Sequence, residues 1–356
     1  FKEADNALIK ARNSVVSKKN FNALTVYFQQ EVSRNAPSHT KINNLLNFFR
    51  SGRYGEAEQL ALVITEDFPN DPLGWKVLGA VLKKLGRLDQ SLLASQKAVE
   101  IAPSDAEALT NLGNVLKDLD KLGEAETVYN KAIVVQPNYT KAHNNLGVLL
   151  QQLGRLDEAE KCYRDTIELD DNYANPYNNL GIVLQKLGKL PEAERSFRRA
   201  IELQQNFAEV HSNLAITLQE MGKSEEAEAS HRKAISADPQ YFGAYLNFCE
   251  FLDKANRLDD MDLVISAAKE NGCNDNSQLL LYESLFFFRK EQYGKAEGLL
   301  HRVKEQHLTE ERLIAFLRLK AELYQQNRNF KHAFATFKEL NSKIKNSFEI
   351  RTIRKI

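Results

Sequence analysis

Five asparagines, Asn111, Asn145, Asn179, Asn213 and Asn247, stand thirty-four residues apart. A carboxamide carries two N–H donors, a carbonyl acceptor and no charge. A row of them therefore does hydrogen-bonding chemistry rather than acid–base or nucleophilic chemistry. Its natural complement is a polypeptide backbone, whose N–H and C=O groups recur whatever the side chains. Asn is roughly 0.5 kcal/mol or more worse than Ala inside a helix, so its repetition asks for a reason. Other chemistry-bearing residues read more plainly. The chain has no GxxxxGK[ST] loop, HExxH helix, GxSxG elbow or GxGxxG turn. His143 and His211 share a column with Trp75, Tyr177 and Tyr245, and His231 replaces Tyr129, Tyr163 and Phe197 in another, so packing rather than metal binding is expected. Asp157 and Glu158 begin a helix, where carboxylates favour the dipole. No catalytic residue, cofactor or metal ion is expected.

The elements that position the asparagines follow from the same interval, because a fixed period of 20–50 residues marks a solenoid of stacked units. Six units succeed one another: 38–71, 72–105, 106–139, 140–173, 174–207 and 208–241. In the fourth, His143, Leu146, Gly147 and Leu150 make one face of a first helix, A. Gly154 stops it, and Leu156, Ala159, Tyr163, Thr166 and Ile167 repeat the pattern in a second helix, B. Pro69, Pro103, Pro137 and Pro239 follow helix B in their units and block its continuation. Such a hairpin cannot bury its apolar face alone and must stack on its neighbours. Small residues keep their own columns for close helix crossings, at Gly79, Gly113, Gly147, Gly181 and Ala215, and at Ala125, Ala159, Ala193 and Ala227.

Trp75, Leu78, Gly79, Leu82, Ala98 and Pro103, and again Leu112, Gly113, Ala125, Tyr129, Ala132 and Pro137, resemble the tetratricopeptide repeat motif over 38–241. The resemblance implies an all-α, right-handed superhelical solenoid of tandem helix-turn-helix repeats, with the A helices lining a concave groove. The flanks are looser. Residues 242–342 read as about three divergent hairpins, in which Cys249, Asn256 and Met261 replace the small residue, Gly and Ala. Residues 1–37 read as a degenerate N-terminal hairpin, and residues 343–356 as a basic linker or the start of a missing C-terminal region.

At about 100° per residue, the sixth position of helix A lies opposite its core positions, which places the asparagines on the groove wall. Asn144, Asn178, Val148, Ile182 and Ile216 fall around them and complete the candidate peptide-binding site. Duplication alone, or contacts between neighbouring A helices, would also keep the column. Against duplication, the second position has drifted (Glu107, Lys141, Asn175, Glu209) and so has the thirteenth (Asp118, Gln152, Lys186, Glu220). Val77 interrupts the column in the second unit. The ladder, with phrases such as AHNNLGVLLQQLGRLDEAE, is similar to the repeat arm of the O-linked N-acetylglucosamine transferases, which implies extended polypeptide held against it. A clamp for C-terminal carboxylates fits worse. Lys76, Asn111 and Lys141 match its requirements, while Ala80 and Asn145 do not.

Lys+Arg and Asp+Glu number 48 each in 356 residues, without the basic excess of a nucleic-acid binder. No run approaches the ~18 apolar residues of a membrane span. Three dispersed cysteines, Cys162, Cys249 and Cys273, fit a reducing, cytoplasmic setting. The expected partners are protein or peptide segments, with no nucleic acid and no membrane. The primary expectation is an interaction scaffold. Alternatively, the repeats recruit substrates for a sulfotransferase or glycosyltransferase domain beyond Ile356, as the family resemblance implies. A third reading is self-association through the terminal repeats, with the aromatic run 282–288 as either contact patch or core.

Overall fold

The computed structural model of the chain describes residues 37–353, so the hairpin expected before residue 37 lies outside the described residues. Among these residues are eighteen α-helices, one short 3-10 turn and no strand. They divide into two compact units, Phe1–Asp170 and Asp171–Ile356. The first holds α1 (His39–Arg50), α2 (Tyr54–Asp67), α3 (Pro72–Lys84), α4 (Leu88–Ile101), α5 (Ala106–Asp118), α6 (Leu122–Val135), α7 (Thr140–Gln152) and α8 (Leu156–Leu169). The second holds α9 (Ala174–Lys186), α10 (Leu190–Leu203), α11 (Ala208–Glu220), α12 (Ser224–Ala237), α13 (Phe242–Lys254), α14 (Leu258–Glu270), α15 (Ser277–Arg289), α16 (Tyr293–Leu300), α17 (Glu310–Gln326) and α18 (Phe330–Ile353). Odd-numbered helices are the A helices and even-numbered ones the B helices, each A packing on its own B. This is the all-α solenoid class.

The turns obey local chemistry. Gly154 sits at φ +76°. Its N–H donates to the Gln151 carbonyl and the Arg155 N–H donates to that of Leu150, which closes α7. The side chains of Asp71 and Asp105 accept from the first backbone N–H groups of α3 and α5. A second set of contacts fixes four of the B-to-A junctions. Trp75 Nε1 donates to the Pro69 carbonyl at 3.0 Å and Tyr245 Oη to that of Pro239 at 3.2 Å. His143 and His211 place Nε2 at 2.8 and 2.9 Å from the carbonyls of Pro137 and Gln205. These two histidines therefore do the work of the aromatic residues in their column.

Within a hairpin, the small column brings the A backbone onto a B-helix ring. A Cβ added to Gly113, Gly147 or Gly181 would come within 2.5, 2.7 and 2.6 Å of the Tyr129, Tyr163 and Phe197 rings. Real Cβ atoms do not approach that closely, so a side chain there must displace the ring. Tyr129, Tyr163 and Phe197 are fully buried in consequence.

In the divergent hairpins α18 runs unbroken from Phe330 to Ile353, through the basic segment that begins at 343. No Gly or Pro interrupts 330–353, and nothing in the local sequence stops the helix. The aromatic run 282–288 belongs to a core. Tyr282 and Phe286 are buried, while Phe287 and Phe288 pack against a cluster built on Leu281, Leu300, Phe316 and Leu317.

Candidate functional site

Each unit presents its own A-helix surface. In the first, Asn111 and Asn145 are half-buried and Asn144 is only 8% exposed. Asn145 Nδ2 donates to Asn114 Oδ1 at 2.8 Å, and the same oxygen accepts from Tyr129 Oη at 2.7 Å. Asn144 Nδ2 lies 3.3 Å from Asn145 Oδ1, which accepts from it. The amides of α7 are thus tied both to one another and to α5. Val148 stands half-buried one turn further along, and Gln151 accepts from Tyr163 Oη at 3.1 Å.

The second unit repeats the arrangement with other partners. Asn213 Nδ2 donates to Asn178 Oδ1 at 3.1 Å, and Asn178 Nδ2 donates to Glu209 Oε1 at 3.3 Å. Asn247 Nδ2 donates to Ser212 Oγ at 2.9 Å. Asn179, Asn213 and Asn247 are half-buried, as are Ile182 and Ile216, while Asn178 is 4% exposed. In both units, one N–H of a sixth-position Asn goes to the fifth or ninth position of the preceding A helix. Each such bond is worth about 1 kcal/mol net, and it fixes the direction of the amide. For Asn213 and Asn247 the other N–H and the side-chain carbonyl have no protein partner among the described residues.

Asn144 and Asn178 therefore lie beneath the surface rather than on it. Each touches a sixth-position amide, Asn144 that of Asn145 and Asn178 that of Asn213. Sequence reasoning missed Asn114, Ser212 and Glu209 as partners, because only two helices side by side reveal them. It also missed a charged ladder on the B helices. Glu58 pairs with Arg87, Glu126 with Arg155, Glu194 with Lys223 and Glu228 with Arg257, each pair twenty-nine residues apart. That fixed spacing of opposite charges was visible in the sequence.

Electrostatics separate these surfaces. Burial opposes the charge on Lys76, but its bonds to Glu107 (2.6 Å) and Asp105 (2.9 Å) outweigh that and raise its pKa. Its ammonium is thus engaged within the protein, which further weakens a carboxylate clamp. Burial also pushes the Cys162 thiol up to about 11, well away from the pKa of a reactive thiolate. Among the described residues no group of three or more His, Cys, Asp or Glu could hold a metal ion. None of their helices is long and apolar enough to cross a membrane.

Three overlapping stretches, 104–172, 138–206 and 172–240, match the family model described as tetratricopeptide repeat. No curated protein matches the chain. Among solved structures, a tetratricopeptide repeat protein from Parabacteroides merdae aligns at TM-score 0.53 and 20% identity, over 68% of this chain and 97% of its own. A Pseudomonas aeruginosa pilF structure aligns at TM-score 0.50 and 21% identity, covering 57% and 92%. A thermophilic repeat protein of the same kind from Thermus thermophilus aligns at TM-score 0.44 and 26% identity, covering 51% and 99%. The first two share the fold, and the likeness extends no further than that.

Proposed function

We propose that the chain, whose residues 104–240 match the tetratricopeptide repeat family model, is an interaction scaffold that holds extended polypeptide against the exposed face of its A helices. The observation that carries this reading is the half-spent amide. Asn213 and Asn247 each give one N–H to the preceding helix and keep a donor and an acceptor. An extended chain presents N–H and C=O groups on alternate sides and would otherwise lose water from them unpaired. A fixed amide meets those groups without the entropy cost of ordering a free side chain. Backbone recognition of this kind tolerates many sequences, which suits a scaffold.

The test is Asn179, Asn213 and Asn247 replaced together by Ala, with binding of fluorescein-labelled 12-residue peptides read by polarisation. Ala is the better helix former, so helicity by circular dichroism should hold. Three lost hydrogen bonds at about 1 kcal/mol each predict a fall in affinity of roughly 100-fold. Unchanged affinity would remove the asparagines from the binding surface.

A further inference from the structure

In the second unit the floor around the amides carries no charge. The positions flanking the asparagines on α9 are Asn178, Ile182 and Gln185, and those on α11 are Ser212, Ile216 and Gln219. The neutral strip stops on α13. There Glu250 occupies the column of Ile182 and Ile216 and binds Arg312 of α17 at 2.6 Å and Lys254 at 2.8 Å. The Arg312 guanidinium lies over the Tyr282 ring, 4.7 Å from its centroid, so the tie is braced by packing. Charges return at the edges of the strip, and those that contact its amides are acidic: Glu209 accepts from Asn178, and Glu220 accepts from Gln185 at 3.1 Å.

Building on the polypeptide-binding reading, we infer that the occupant of this strip is an extended segment of uncharged residues, from which acidic side chains are excluded. An anion set over Ile216 leaves water without gaining a counter-charge, while the exposed Lys186 lies one turn beyond Ile182 at the edge of the strip. The anion also faces the carboxylates of Glu209 and Glu220. A lysine fares better, since its long stem reaches the edge and places the ammonium beside those carboxylates. The length of the segment follows from the spacing. Packed helices lie about 8–10 Å apart, so the three A helices carrying Asn179, Asn213 and Asn247 span about 20 Å. An extended chain covers that in about six residues at ~3.3 Å each. The Glu250–Arg312 tie marks one end.

The experiment uses a labelled 12-residue peptide of Ala, Ser, Thr and Val, with single Glu or Lys replacements at its centre or its ends. The expected order of affinity is neutral, then central Lys, then central Glu at least tenfold weaker, with Glu at the ends nearly harmless. Ile216→Lys should recover the central-Glu peptide and weaken the central-Lys one, with helicity unchanged. Central Glu binding as tightly as the neutral peptide overturns the inference, even if the triple Asn variant still loses binding. Failure of every peptide to bind overturns it together with the polypeptide reading.

Discussion

In the hairpin 174–207 the A helix offers Gly181 to a Phe197 ring, and an added Cβ would stand 2.6 Å from that ring. In the next hairpin the same two columns hold Ala215 and His231, both fully buried, and in the one after they hold Cys249 and Ile265. As the A-helix residue grows from Gly to Ala, the B-helix ring shrinks from phenyl to imidazole. The crossing conserves filled volume rather than residue identity, as close packing requires. The exchange at His231 has a cost. Neither of its ring nitrogens has a hydrogen-bond partner, and the ring survives by stacking on Phe248, 5.2 Å away.

The widest gap between the two hairpins opens with pH. Burial depresses the His231 pKa to about 4, while Glu228 and Glu250 pull weakly the other way. In the unfolded chain it titrates near 6.5. Between those values the unfolded state binds more protons, so this contribution is complete above pH 6.5 and is lost as pH falls toward 4. Roughly 3 kcal/mol is expected to disappear by pH 4. Denaturant unfolding of wild type beside Ala215→Gly/His231→Phe, which restores the 174–207 pairing, should show wild type losing stability relative to the variant only below pH 6.5. Parallel pH profiles would refute it.

A double-mutant cycle at the same crossing comes next. His231→Phe alone should overpack against Ala215 and cost about 1–3 kcal/mol. Adding Ala215→Gly should recover most of that, with a coupling of at least about 0.5 kcal/mol. Gly181→Ala should cost a similar amount in its own hairpin. Independent, additive effects would show that the columns do not compensate.

The loops sharpen the contrast more gently. Gly188 and Gly222 turn the chain at φ +75° and +76°, whereas Asn256, Glu291 and Arg328 hold φ of +56° to +59° without being Gly. Glu291→Gly should raise stability by about 1 kcal/mol, and Asn256→Gly by less, because Asn tolerates this conformation. A loss of stability in thermal melts would mean the side chain does more than endure the strain. The smallest effect is expected on the B helices. Lys223→Ala breaks the half-buried bond to Glu194, which keeps Arg198 as a second partner, and should barely move the melting temperature, and still less in high salt.

The helices and their turns were legible because they rest on local signals. Gly154, the prolines after helix B and the small columns act within a few residues of their own positions. The volume exchange was legible too, since Ala215 and His231 deviate in the same unit, although only the 2.6 Å approach at Gly181 explains why. The asparagines were legible only in direction. A helical wheel sets Asn213 away from its own hairpin's core but contains no second helix, so it leaves Asn178 looking like open surface when it is 4% exposed. The run of α18 to Ile353 follows from the absence of a stop, since no Gly or Pro interrupts 330–353.

By itself the sequence determined the period, the hairpin, the faces that must be buried and the column of neutral amides, because periodicity and turn chemistry act over a few residues. Only the tertiary structure decided where the amide protons go. Asn145 reaches Asn114, Asn213 reaches Asn178 and Asn247 reaches Ser212, thirty-one to thirty-five residues away. Those partners depend on the distance and rotation between packed helices, which no single repeat specifies. The same packing left one donor and one acceptor of Asn213 and Asn247 unspent, and on that remainder the proposed binding surface depends.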